Sequence, residues 1–313
     1  MSLDKNMTQS LKIATRKSKL ALWQAEHVAA LLREAHPGLL VELVPMTTQG
    51  DRIQDRSLAE IGGKGLFIKE LEVAIDERRA DIAVHSMKDV PADMPPGFEI
   101  GAVLARADTR DALISNRYSS VDTLPRNARV GTSSLRRQAQ LLARRGDLNI
   151  HPLRGNVDTR LRRLDDGELD AIVLASAGLI RLGWESRITE RVPAEVCLPA
   201  VGQGAIGIEC RAGETATIDL LKALEHAQTR VALSAERAFS QALGGSCQSP
   251  IAALAQIEGG RLTLEGLVAE PDGSRILRDQ IDGDPAQASR LGVQLAERML
   301  AAGAGALLER LRG

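Results

Sequence analysis

The chain has 313 residues, enough for two or three domains with cores of their own, and a 44% hydrophobic content ordinary for a globular protein. A formal net charge of −1 removes any long-range pull toward nucleic acid or an anionic membrane. Aromatic residues make up only 2%, too few for the stacking platforms of a single-strand nucleic-acid groove.

In chain order, residues 11–14 read as a strand, 20–34 as an amphipathic helix ended by His36-Pro37-Gly38, and 41–46 as a second strand. A helix over 66–78 and strands over 81–85 and 97–104 complete a βαβ series, the pattern of a mostly parallel sheet. The polar, glycine-bearing stretch 47–65 has weak periodicity and reads as a mobile lid.

Residues 110–198 repeat the plan, with strands over 129–130, 148–153 and 171–175 and helices over 134–145, 158–164 and 177–182. The repetition extends to the letters: Asp81-Ile82-Ala83-Val84 is echoed by Asp170-Ala171-Ile172-Val173. Leu198-Pro199-Ala200-Val201-Gly202-Gln203-Gly204 reads as a crossing linker, and 205–210 as a strand returning to the first sheet, so that a double crossing forms a hinge.

Beyond residue 225 the pattern changes to a helix over 229–243 and alternating strands over 251–257, 262–269 and 274–281. Gly259-Gly260 and Asp272-Gly273 mark hairpin turns, and a helix over 285–302 and a last short helix close the chain. The expected fold class is α/β, with two lobes facing a cleft plus a small α+β C-terminal domain carrying a three-stranded antiparallel sheet. The expected bounds are 1–104 with 200–222 for the first lobe, 105–199 for the second and 223–313 for the third domain.

Basic residues gather where strands end and helices begin. Arg16 and Ser18 follow the first strand, Lys88 and Asp89 the third, and Ser133, Ser134, Arg136 and Arg137 the strand at 129–130; Arg154 and Arg160 surround the turn Gly155-Asn156. In an open α/β sheet such ends face one crevice, which here suits a ligand with many carboxylates or phosphates. Ser134 fits a helix N-cap, where backbone N–H groups and the helix dipole also attract anions. Arg136 and Arg137 in the first helical turn cost about 0.3–1 kcal/mol each without an anionic partner, which favours ligand binding there. Arg154 and Arg160 fit a ligand or a surface ion pair equally well. Lys88-Asp89 alone fits a simple ion pair; in a polyanion cleft, the carboxylate has a reason to be present if it stabilises a cation formed during reaction. Gly62-Gly63-Lys64-Gly65 lacks the Ser or Thr that a Walker loop places after its lysine, so Lys64 reads as a lid cation or a solvated lysine.

The three cysteines, Cys197, Cys210 and Cys247, have neither the even count of a disulfide framework nor the spacing of a zinc site, and no metal is expected. His85 and Cys210 read as core residues. Cys247 lies in the glycine-rich turn Gly244-Gly245-Ser246-Cys247-Gln248, open both to a structural reading and to a nucleophilic one. No run approaches a membrane span, and Met1-Ser2-Leu3-Asp4-Lys5-Asn6 lacks the apolar core of a signal peptide; a reducing cytoplasm is the expected setting.

Several segments in this order resemble the porphobilinogen deaminases: Ile13-Ala14-Thr15-Arg16, Gly62-Gly63-Lys64-Gly65-Leu66-Phe67, Val84-His85-Ser86-Met87-Lys88-Asp89-Val90-Pro91, Gly131-Thr132-Ser133-Ser134-Leu135-Arg136-Arg137, Leu153-Arg154-Gly155-Asn156, Leu198-Pro199-Ala200-Val201-Gly202-Gln203-Gly204 and Gly245-Ser246-Cys247-Gln248. The resemblance implies lobes like those of periplasmic binding proteins and a dipyrromethane cofactor joined by a thioether to Cys247. It implies a transferase that joins four porphobilinogen molecules head to tail with loss of ammonia, then releases hydroxymethylbilane by hydrolysis. Two carboxylates on every pyrrole ring would account for the arginines.

By the same resemblance Asp89 is the catalytic carboxylate, facing an azafulvene-type cation. Lys88, Ser134, Arg136 and Arg137 hold the cofactor, and Arg16, Ser18, Arg154, Arg160, Arg181 and the lid residue Lys64 hold substrate carboxylates. Glu60 departs from the family, some bacterial members of which carry a basic residue there, and this puts the lid's binding role in question. The expected partner is porphobilinogen alone, with the protein a monomer bound to neither nucleic acid nor membrane. The rival reading is a non-catalytic solute-binding or effector-sensing module, which leaves the third domain and the Cys247 turn unexplained.

Overall fold

The computed structural model describes residues 10–52, 68–246 and 248–310. The first sheet begins with β1 (Ser10–Arg16), followed by α1 (Lys19–Ala35), β2 (Leu40–Met46), α2 (Gln49–Arg52) and α3 (Lys69–Asp76). Strands β3 (Ile82–Ser86) and β4 (Phe98–Val103) follow. The second sheet contains β5 (Asp111–Ile114), β6 (Arg129–Gly131), β7 (Asn149–His151), β8 (Ala171–Ala175) and β9 (Glu190–Val192), with helices α4 (Leu135–Arg144), α5 (Val157–Asp165) and α6 (Ser176–Arg181). The chain then returns to the first sheet with β10 (Ile206–Arg211) and α7 (Thr215–Leu221).

The two sheets have the same plan. In the first the order is β2-β1-β3-β10-β4, and in the second it is β7-β6-β8-β5-β9. Each has three parallel strands, then one antiparallel strand from a crossing segment, then an edge strand. The expected return of the strand near 205–210 is observed. The expected mostly parallel character holds for only part of each sheet, because β10 and β5 enter from the opposite lobe and run against their neighbours.

Helix α1 illustrates how the lobes cohere. Its buried residues Ala21, Gln24, Ala25, Val28, Ala29 and Leu32 recur at helical spacing, and Ala25, Val28, Ala29 and Leu32 pack with Ile13, Ile82 and Ile208 of the sheet. Even the buried amide of Gln24 is satisfied, donating to Ser86 Oγ at 2.8 Å.

The third domain contains α8 (Ala227–Ala242), the antiparallel hairpins β11 (Ile251–Glu258), β12 (Arg261–Ala269) and β13 (Ile276–Gly283), then α9 (Ala288–Ala301) and α10 (Ala304–Glu309). Phe239 of α8, fully buried, packs with Leu264, Leu295 and Met299 at the centre of this core. Among the described residues no helix is long and apolar enough to cross a membrane.

The two crossing segments and the third domain are joined by a buried polar hub. Glu236 of α8, with no exposed surface, accepts from both ends of the Arg106 guanidinium (2.5 and 3.1 Å), from Gly202 N (2.8 Å) and from Ala255 N (2.8 Å). Arg106 Nε also donates to the Gln203 carbonyl at 2.9 Å. Gly202, at φ +73°, passes so close beneath the Met87–Asp89 turn that a Cβ would lie 3.0 Å from the Met87 carbonyl carbon. Glycine is required there both for the left-handed backbone and for the approach.

Candidate active site

A cavity of about 460 Å³ opens between the lobes and is lined from all three parts of the fold. The first lobe contributes Arg16, Ser18, Lys88 and Asp89, and the second Ser134, Arg136, Arg137, Arg154 and Arg160. The third domain contributes Arg237, Ser240, Gly245, Ser246 and Gln248, so both neighbours of position 247 face this space. Cys247, Lys64 and Glu60, together with most of the expected lid, lie outside the described residues. The sequence-level expectation of one shared crevice is thus met for nine of the twelve named site residues, and Arg181 stands apart.

Arg181 does not line this cavity. Its Nη2 donates to the Gly204 carbonyl at 2.7 Å, and its guanidinium lies 6.0 Å from the Trp23 ring centroid. It lines a neighbouring cavity of about 750 Å³ with Trp23, His27 and His226. Burial pushes its pKa down to about 10, so it remains a cation at neutral pH.

Lys88 and Asp89 occupy a single 3-10 turn at the end of β3. Burial pushes the Lys88 ammonium down to about 8; Asp89 opposes that shift, and the nearby Arg137 adds to it. The loop that follows is fastened to the third domain. Arg237 Nη2 donates to the carbonyls of Pro91 (2.7 Å) and Ala92 (3.1 Å), and the Gln241 amide binds the Asp93 carboxylate. Helix α8 therefore carries, on consecutive residues, the anchor of the crossing segments and the anchor of the loop bearing Asp89.

Arg136 and Arg137 have a different partner from the one their position suggested. They do stand in the first turn of α4, but an anionic partner is supplied from within. Asp111, fully buried on β5, accepts from Arg136 Nη1 (2.7 Å) through Oδ2, and from Arg137 Nε (2.9 Å) and Nη2 (2.7 Å) through Oδ1. Gln203 Nε2 adds a bond at 2.9 Å, and the Cys197 thiol lies 3.3 Å from Oδ2. Burial alone would raise the Asp111 pKa, but the two guanidinium charges overcome it and hold the carboxyl far below the usual carboxylate range. The same pocket pushes the Cys197 thiol up to about 12, which makes it an inert core sulfur. The helix-dipole argument for a ligand at these arginines therefore loses its force.

Other groups do point to a ligand. Arg136 Nε, Arg154 Nη1 and Gln248 Nε2 are buried donors without a hydrogen-bond partner among the described residues, and all three residues line the cavity. A buried donor left unmade costs about 1–3 kcal/mol, more when charged, so three around one cavity mark a place for acceptor oxygens. A carboxylate-bearing dipyrrole fits this donor set. Arg160 donates Nε to the Gly155 carbonyl at 2.8 Å; burial and the charges of Arg137 and Arg154 push it down to about 10, with Asp89 opposing. It too stays charged.

The serines divide. Ser134 is the N-cap of α4 yet makes no side-chain capping bond, while Ser133 Oγ is taken by the Leu153 backbone at 2.9 and 3.0 Å. Ser18 caps α1, accepting from Ala21 N at 3.4 Å, and lines the cavity as well. Outside the cavity, His85 has the core role expected of it, its Nε2 lying 2.7 Å from Glu209 Oε2. Cys210 is likewise a core residue, its thiol pushed up to about 11 by burial.

Asp111, Gln203, Arg237 and Gln248 escaped the sequence reading. Gln248 and Gln203 had a local signal, the first beside Cys247 in the glycine-rich turn and the second in the 198–204 linker; Asp111 and Arg237 act through partners distant in sequence.

Comparison with known proteins adds two kinds of likeness. Among solved structures, the periplasmic VFT2 domain of BvgS from Bordetella pertussis is similar over 69% of this chain and 86% of its own, at 15% identity and a TM-score of 0.42. A probable amino-acid ABC transporter extracellular-binding protein, ytmK from Bacillus subtilis, covers 69% and 90%, at 12% identity and a TM-score of 0.42. Neither bears on function. The family model described as porphobilinogen deaminase, dipyromethane cofactor binding domain, matches residues 11–219, and that described as porphobilinogen deaminase, C-terminal domain, matches 231–301. Matched through both of these regions, the chain belongs to the porphobilinogen deaminase family, the hydroxymethylbilane synthases of tetrapyrrole biosynthesis that work with a dipyrromethane cofactor.

Proposed function

We propose that the cavity is where this activity takes place, with Cys247 as the attachment point of the dipyrromethane and Asp89 as the catalytic carboxylate. The observation that carries the reading is the convergence of Asp89, the arginines and both neighbours of position 247 on one cavity. When bound, the dipyrromethane supplies the pyrrole α-carbon on which substrate units are joined.

Lys88, Ser134, Arg136 and Arg137 hold its carboxylates, with Gln248 as an added donor. Arg16, Ser18, Arg154 and Arg160 hold the acetate and propionate of the incoming porphobilinogen. Lys64 is assigned to the same carboxylates, whereas Arg181, donating to the Gly204 carbonyl in the neighbouring cavity, is left out of this set. As the C–N bond of the porphobilinogen aminomethyl group breaks, the electron pair leaves with ammonia and positive charge spreads over the substrate ring. The Asp89 carboxylate stabilises that charge and takes part in the proton transfers at the leaving amine and the reacting ring carbon. Four additions followed by hydrolysis give hydroxymethylbilane.

In this reading residues 1–104 with 200–222 form the first lobe, 105–199 the second and 223–313 the third domain, which carries the cofactor cysteine. The described residues that line the cavity come from all three parts of a single chain, which is what a monomeric enzyme requires. A thioether needs a reduced thiol at Cys247, which a reducing cytoplasm supplies.

The test is intact mass. Wild-type protein made with porphobilinogen available should carry two pyrrole units beyond the polypeptide, and Cys247→Ala should carry none. A bare wild-type mass, or pyrrole units retained by Cys247→Ala, would refute the attachment.

Lys88 gives a pH dependence. Its lowered pKa of about 8 means that the cation is present below that pH and lost above it. In Cys247→Ala protein, calorimetric affinity for a small polycarboxylate such as citrate should fall between about pH 7 and about pH 9, below the range where an ordinary lysine titrates. Constant affinity across that range would contradict the assignment of Lys88 to carboxylate binding.

A further inference from the structure

One ion pair in the cavity joins the two lobes and has no place in the scheme above. Lys19, the first residue of α1, extends from the first lobe and places Nζ 3.3 Å from Oδ2 of Asp158, in the first turn of α5 on the second lobe. Both residues line the cavity. The Lys19 side chain is 67% exposed and its ammonium sits 6.0 Å from the Trp184 ring centroid, so it stands at the mouth rather than the floor.

Each of the cavity's other two described carboxylates has a role, Asp89 beside Lys88 and Asp93 bound by Gln241. Asp158 is the remaining one; its place in the first turn of α5 suits the helix dipole, but it repels an anionic substrate. A lysine at a helix N-terminus is also unfavourable unless an anion attends it. The two oddities explain each other if the carboxylate is a stand-in.

We propose that Lys19 is a positioning residue for the carboxylates of incoming porphobilinogen at the cleft mouth, and that Asp158 holds its ammonium between arrivals and yields it to the substrate. The pair is exposed enough for exchange. Its own attraction is small, as for surface ion pairs generally, so a substrate carboxylate can displace Asp158 without a large barrier. This inference rests on the reading of the cavity as the porphobilinogen site.

The experiment is steady-state kinetics with porphobilinogen at low ionic strength for Lys19→Ala, Asp158→Asn and the double variant, with urea midpoints to confirm folding. Lys19→Ala should raise KM about threefold and Asp158→Asn should lower it by a similar factor, both with little change in kcat, on the scale of surface charge pairs. The double variant should match Lys19→Ala, because Asp158 acts through Lys19. Both shifts should shrink with added salt. If the pair were only a brace between the lobes, the single variants would move KM in the same direction, which overturns the proposal. So would no change in either, or strictly additive effects in the double variant. A wild-type protein without turnover or covalent dipyrrole would instead overturn the underlying reading.

Discussion

Asp89→Ala should leave a folded protein whose turnover is lower by at least about 10²-fold, the usual consequence of removing a group that stabilises transition-state charge. Asp89 follows Lys88 in the turn at the end of β3, and it favours the charged forms of both Lys88 and Arg160. In the ground state it therefore already has two cations as neighbours. In the proposed reaction it would face a further positive charge, on the substrate, which the arginines could only oppose. Asp89→Asn separates charge from shape, since the amide has nearly the same volume and still accepts one hydrogen bond. It should lose nearly as much turnover as Asp89→Ala. Product formation, with circular dichroism and urea unfolding as controls, reads both variants. Turnover within a few-fold of wild type in either would remove Asp89 from the chemistry.

Replacing Asp111 should have its main effect on stability. Asp111→Ala would leave two buried guanidiniums without their carboxylate, and breaking a buried pair on one side costs about 3–5 kcal/mol. Asp111→Asn should cost less, since the amide oxygen still accepts from Arg137, but it should also be clearly destabilised because the charge is gone. The sign with pH follows from a depressed pKa. The stabilisation is complete above the unfolded carboxylate value of about 3.9 and is lost only as pH falls below it. Urea unfolding at neutral pH should show the loss, and at strongly acid pH the difference between wild type and variant should narrow. An Asp111→Ala protein as stable as wild type at neutral pH would mean that the arginine pair draws its compensation from elsewhere.

The alternation of strand and helix was legible from periodicity, and the third domain from its hairpin turns. Gly259 and Gly260 both adopt the positive φ that a tight hairpin demands, at 57° and 76°. Strands β5 and β9 were missed. β5 is four buried residues after a polar loop, and β9 is three residues beginning Glu190-Arg191, too short and too polar to show a period of two. Strand direction was not legible either, because whether a strand runs parallel or antiparallel depends on which lobe the chain enters from.

For the site, the basic turns could be read locally, since each follows its own strand. What they bind inside the protein could not. Asp111 and Arg136 are separated by 25 positions, and nothing in Arg110-Asp111-Ala112-Leu113 announces a buried counter-ion. Arg181 was expected beside the other arginines, whereas its guanidinium is turned to the Gly204 carbonyl and the Trp23 ring.

The exchange of strands between sheets has a bearing on how the chain matures. β4 finds its sheet partner only in β10, more than a hundred residues later, whereas every strand of the second sheet lies between Asp111 and Val192. On a ribosome the second lobe is thus the first able to close, and the N-terminal lobe waits with the flank of β3 uncovered until residues 206–211 emerge. Synthesis order and sheet completion are thus reversed, so the earliest-made strands carry an open edge for longest.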